Sequence, residues 1–127
     1  MKMKIYAPFT YWKATNKDRN KVCNGCGAKN GIKVPDTLMF CNISEACNVH
    51  DWMYNEGKTL GDFYFANAIF IMNMALIITS GSKWLVPIRL LLAGKYFLAV
   101  QEFGTKAYWV DKEENQELHI TYKGCFK

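Results

Sequence analysis

Cys47, His50, Asp51 and Tyr54 recur at intervals of three and four residues, the spacing that places side chains on one face of a helix. A thiol, an imidazole, a carboxylate and a phenol make poor core material, because each must be hydrogen-bonded, ligated or bridged when buried. The stripe therefore reads as a site. His50 has the near-neutral titration suited to a general base that takes a proton from water and returns it to a leaving alcohol. Asp51 is a hard oxygen donor of the kind calcium prefers, but one carboxylate is too few to hold that ion. Upstream, Asn24-Gly25-Cys26-Gly27 has the backbone freedom to turn carbonyls toward a common point. Downstream, Gly61-Asp62 opens an apolar helix with a second carboxylate, about twelve residues after His50. A serine nucleophile is disfavoured, since the only serines are Ser44, Ser80 and Ser82, and none lies in a Gly-x-Ser-x-Gly turn.

The elements that must carry these groups are legible. Glu45 in a first turn, Ser44 as N-cap and Gly57 as terminator predict a first helix from about Ser44 to Glu56. Thr59 can cap a second, from Leu60 to about Thr79, ended by Ser80-Gly81-Ser82. A third is expected from Trp84 to about Thr105, with Pro87 tolerated in its first turn, packing antiparallel to the second. Residues 1–22 lack a clean period and predict a short helix or loop. The glycines and Pro35 between Cys23 and Phe40 predict an irregular connection. Ala107–Val110 and Leu118–Tyr122, rich in β-branched and aromatic residues, predict a C-terminal β-hairpin. A mainly α single domain spanning 1–127 is expected.

These residues together, Asn24-Gly25-Cys26-Gly27, Val34-Pro35-Asp36, Ala46-Cys47-x-x-His50-Asp51-x-x-Tyr54-x-x-Gly57 and Asp62-x-x-Phe65, resemble the phospholipase A2 superfamily, and its small bacterial, fungal and viral members most. The resemblance covers about Cys23 to Met74. It implies antiparallel helices with a glycine-rich metal loop, and a secreted hydrolase of lipid degradation that cleaves the sn-2 acyl ester of glycerophospholipids through a His50-activated water. Calcium would be held by Asp51 with loop carbonyls of Gly25, Gly27 and one of Lys29 or Gly31, and the Gly27 N–H would donate to the oxyanion. Asp62 would orient the imidazole, held by the Tyr54 hydroxyl. Cys26 would bridge Cys47 and, by default, Cys23 would pair with Cys41.

Five cysteines, four of them clustered around the motif with Cys125 apart, favour bridges in an oxidising compartment. The start of the chain lacks the apolar run of a secretory signal, so the expectation is a mature form or another route out of the producing cell. Residues 1–33 carry eight Lys or Arg against Asp18 alone, while the remainder has eight basic and ten acidic residues. Mixed with Tyr6, Phe9, Tyr11 and Trp12, this basic third suits an anionic phospholipid surface. Nucleic acid would satisfy the same charge but is not expected as a partner. The apolar runs from Phe63 to Thr79 and Leu85 to Val100 approach spanning length, yet Asn67, Asn73, Arg89 and Lys95 interrupt them and both read as buried helices. Two other uses of the same residues remain: a zinc module built from Cys23, Cys26, Cys41, Cys47 and His50, and a catalytically silent, phospholipase-like lipid-binding or toxin protein.

Overall fold

The computed structural model describes residues 5–23 and 35–124. The glycine-rich loop with Gly25, Cys26, Gly27, Lys29 and Gly31, and the terminal Cys125, lie outside these. Two short helices, α1 (Phe9–Lys13) and α2 (Asn16–Val22), precede a two-stranded antiparallel sheet of β1 (Thr37–Leu38) and β2 (Cys41–Asn42), with Thr37 opposite Asn42 and Leu38 opposite Cys41. Three helices follow, α3 (Ser44–Glu56), α4 (Leu60–Thr79) and, after a 3₁₀ turn at Lys83–Leu85, α5 (Val86–Phe103). A last short helix is α6 (Thr105–Tyr108). The chain is thus mainly helical with one small sheet.

Local chemistry explains the long helices. Thr59 accepts from the Asp62 N–H while the Asp62 carboxylate accepts from the Thr59 N–H, a capping box that starts α4 where the sequence predicts it. Ser44 is not the cap of α3. It is the first helical residue, and its N–H donates to the Asn42 side chain instead.

Helix α4 lies antiparallel to both neighbours: Tyr54, late in α3, meets Phe63, early in α4, while the earlier His50 meets the later Phe70. Gln101, late in α5, likewise reaches Asn67 in the first half of α4. One core joins Ile5, Ala7 and Tyr11 to Ala46, Val49 and Met53 of α3 and to Ala66, Ile69, Phe70, Met74 and Ile78 of α4. Asn73, inside that apolar run, is satisfied completely by the backbone N–H and carbonyl of Tyr6, each at 2.7 Å.

Two expectations are corrected. The C-terminal hairpin does not form, because residues 105–108 are helical and residues 113–124 run without strand pairing along the start of α4. The first N–H groups of a helix have no intrahelical partners. Here the carbonyls of Asn115 and Glu117 accept from Leu60 and Gly61, so the backbone that a hairpin would have paired with itself is spent on α4. A Cβ at Gly61 would come within 2.2 Å of the Leu118 carbonyl oxygen, which is why the strap can lie so close. The second correction concerns α5. Among the described residues, two helices are long and apolar enough to cross a membrane by length and composition, but 61% of the α4 window is buried against only 11% of the window spanning Lys83–Phe103. Helix α4 is the core helix, whereas α5 buries only one face, with Arg89 and Ala93, and leaves the other exposed.

Candidate active site

Helix α3 presents Cys47, His50 and Tyr54 to the interior, with Asp51 at its margin and partly exposed. His50 is only 7% exposed and stacks on Phe70, with ring centroids 4.5 Å apart, while Tyr54 packs at 4.1 Å. Its partner is Asn67, whose Oδ1 lies 2.8 Å from His50 Nε2 and accepts from the Tyr54 hydroxyl at 2.7 Å. Asn67 Nδ2 donates to Gln101 Oε1 at 2.6 Å, with Oδ1 turned to the ring. An amide oxygen only accepts, so Nε2 carries the proton and Nδ1 keeps the lone pair. Among the described residues, helices α3, α4 and α5 thus each contribute to one hydrogen-bonded chain, and Nδ1 is the nitrogen left to act as a base.

Electrostatics follow from burial. Removing His50 from water disfavours the imidazolium and lowers its pKa to about 4, with the Asn67 hydrogen bond opposing this only in part. Burial raises the Tyr54 phenol, so it stays a neutral donor. Lys112 is lowered to about 8 by desolvation, partly offset by Asp62. Its ammonium lies 4.0 Å over the Tyr108 ring and donates to the carbonyls of Tyr54 and Gly57, closing the C-terminal end of α3 where a cation is favoured.

Asp62 does not orient His50. Besides capping α4, its carboxylate accepts from the Lys58 N–H and from the N–H and hydroxyl of Thr121. Burial alone would raise it, but these hydrogen bonds from Thr121, Lys58 and Thr59 outweigh desolvation and lower its pKa. It ties the C-terminal strap to α4. Tyr54 correspondingly holds Asn67, not Asp62. The residue that sequence reasoning missed is Asn67, and its one signal was a polar side chain interrupting an apolar helix. Asn73 gives the same signal and is purely structural.

The cysteines divide differently from the expectation. Cys23 and Cys41 are both free thiols. Cys23 Sγ donates to the Asn48 carbonyl at 3.1 Å, a contact that ties the end of α2 to α3, while Cys41 is committed to the strand opposite Leu38. Burial, with the charges of Asp51 and Glu45, raises the Cys23 thiol to about 11. Cys47 is a disulfide cysteine whose other half lies outside the described residues. Iodoacetamide added to the denatured, unreduced protein is therefore expected to modify Cys23 and Cys41, and to modify Cys47 only after reduction. Native Cys23 should react slowly, because little thiolate is present at neutral pH. Peptide mapping distinguishes the sites, and a Cys47 that alkylates without reductant would contradict the assignment.

Of the expected calcium set, Asp51 alone lies among the described residues. Asp51 is partly solvent-accessible and follows His50 in sequence, and hard oxygen chemistry fits the ion. In the basic segment, Arg19 donates to the carbonyls of Tyr11 and Trp12 and lies over the Tyr11 ring at 4.4 Å, so it serves the packing of α1 on α2. Lys13, Lys17 and Lys21 are exposed. His119, at the surface, pairs with Glu117.

No protein-family model, curated protein or solved structure matches this chain significantly.

Proposed function

We propose that the chain is a calcium-dependent phospholipase that hydrolyses the sn-2 ester of glycerophospholipids. The observation that carries the reading is the His50–Asn67–Tyr54 arrangement, in which Nε2 is held at 2.8 Å and Nδ1 is left as the base, beside Asp51 on the same helix. In the step this supports, Nδ1 takes a proton from water as the oxygen attacks the ester carbonyl carbon. The same proton then passes to the departing glycerol oxygen, leaving a fatty acid and a lysophospholipid. Asp51, with loop carbonyls of Gly25, Gly27 and one of Lys29 or Gly31, would hold calcium, which when bound would polarise the carbonyl and stabilise the oxyanion. Gly27 N–H would be the second donor. A Cys26–Cys47 bridge would fasten that loop to α3, consistent with Cys47 being half of a disulfide. The resemblance implies an antiparallel pair with the base on the first helix and Asp62 behind it on the second; here Asn67 takes that place on α4.

The zinc module is the weaker reading, since a disulfide sulfur at Cys47 is no thiolate ligand. The silent, lipid-binding alternative draws on a specific observation: the group behind His50 is an amide, which orients the neutral ring but supplies no charge to the imidazolium. The deciding experiment is fatty-acid release from mixed phospholipid vesicles with and without chelator, run on wild type and Asn67→Asp. A carboxylate at 67 would raise the His50 pKa, and a base made about a hundredfold stronger, at a Brønsted slope near one half, predicts a rate about tenfold higher. Gln101 can turn its amide to donate to the new oxygen, so the chain of hydrogen bonds survives. Calcium-dependent release supports the phospholipase. No release from either protein means the silent reading is the correct one.

A further inference from the structure

Helix α5 packs one apolar face, with Val86, Leu92, Ala93 and Val100, against the core and carries a second apolar face outward. Trp84, Leu91 and Leu98 are spaced by seven residues, two helical turns, and are 80%, 64% and 63% exposed. Ile88, Lys95 and Glu102 lie on the same face, with exposed Lys83 and Lys106 toward its two ends and exposed Asp36 beside Tyr96. An apolar stripe of this length is costly to leave in water unless something covers it.

A second feature is bonded to the same helix. Met39 and Phe40, the two turn residues between β1 and β2, have φ of 44° and 69°, a region that Asn and Gly enter cheaply and bulky side chains do not. The buried Arg89 of α5 holds this turn through two hydrogen bonds to the Met39 carbonyl, at 3.0 and 2.7 Å. Tyr96, also on α5, reaches the Pro35 carbonyl at 3.2 Å. The strained turn leaves Phe40 88% exposed at its tip.

We infer that the outer face of α5 and the Met39–Phe40 tip form the surface by which this protein docks on an anionic phospholipid membrane. Lys83, Lys95 and Lys106 against Glu102 and Asp36 leave this face net positive, which complements an anionic headgroup layer, and Trp84 beside Lys83 suits the boundary between headgroups and acyl chains. The inference deepens the phospholipase reading by naming the surface that meets the substrate. Gln101, which fixes Asn67 behind His50, lies on the same helix, so docking on α5 places the lipid next to the element that orients the base.

The test is co-sedimentation with vesicles of phosphatidylcholine containing phosphatidylglycerol, and with phosphatidylcholine alone, comparing wild type with the exposed-residue variant Phe40→Ser/Trp84→Ser/Leu91→Ser/Leu98→Ser. Circular dichroism and the thermal midpoint establish that the variant is folded. Wild type should bind the anionic vesicles more tightly, less so as salt rises, and the variant should bind them at least about tenfold more weakly, since inserted apolar side chains carry the affinity. His50→Gln should bind like wild type, which separates docking from catalysis. Hydrolysis of a monomeric short-chain phospholipid should be unchanged in the surface variant. If wild type binds but hydrolyses nothing, the docking surface stands and the enzymatic reading fails. Equal binding by folded variant and wild type overturns the inference. So does a wild-type dimer in sedimentation that ignores vesicles and that the variant converts to monomer.

Discussion

His50→Gln is expected to lower phospholipid hydrolysis by at least about 10²-fold, the usual contribution of general base catalysis, while calcium binding by calorimetry stays intact. Glutamine can still meet Asn67, but its amide has no basic nitrogen to take a proton from water. Asp51→Asn should fail in the opposite order. It removes the charged oxygen donor and so weakens calcium first, and excess calcium should then restore part of the rate because the loop carbonyls persist. No calcium concentration should rescue His50→Gln. The contrast is informative because the two residues are adjacent on α3: a merely structural effect on this helix would damage both readouts in both variants. A fully active His50→Gln, or a wild type indifferent to chelator, would show the phospholipase reading to be wrong.

The buried imidazole also predicts a specific acid sensitivity in calcium-free buffer. His50 titrates near 6.5 in the unfolded chain but at about 4 when folded, because burial disfavours its charged form. Between these values the unfolded state binds the extra proton and the folded state does not. Stability should therefore be complete above pH 6.5, fall as pH drops through the window, and stop falling on this account below pH 4. The whole loss amounts to about 3 kcal/mol, since each pH unit crossed in that window removes about 1.4 kcal/mol. Asp62 adds its own loss at lower pH, since its hydrogen bonds hold it below the ordinary carboxylate range. Urea midpoints measured from pH 7 to pH 4 read the effect, and His50→Gln should flatten the curve across that window. A variant as acid-sensitive there as wild type would assign the loss to another group.

Asn67 and Asp62 show what separates the local from the global in this chain. Both lie on α4 and both are buried. In sequence, a carboxylate opening the helix that follows His50 has the same signature whether it caps that helix or orients a catalytic ring. Thr59 and Thr121 decide for capping, and Thr121 is 59 residues away. The polar interruption at Asn67 was visible but looked no different from that at Asn73, whose amide only holds Tyr6.

What the sequence determined by itself was therefore short-range. Helix α4 begins where the Thr59–Asp62 capping box puts it and α3 ends at Gly57, and the three- and four-residue spacing aligned Cys47, His50 and Tyr54 on one interior face. These outcomes depend on neighbours within one or two turns. Only the tertiary structure decided which α4 side chain meets His50, because that depends on the register of two antiparallel helices and on Gln101 from a third. Packing also decided that residues 113–124 serve the free N–H groups of α4 in preference to pairing as a hairpin. It left Leu91 and Leu98 of α5 outward as well, for an apolar run records how hydrophobic a helix is but not whether protein or another surface covers it.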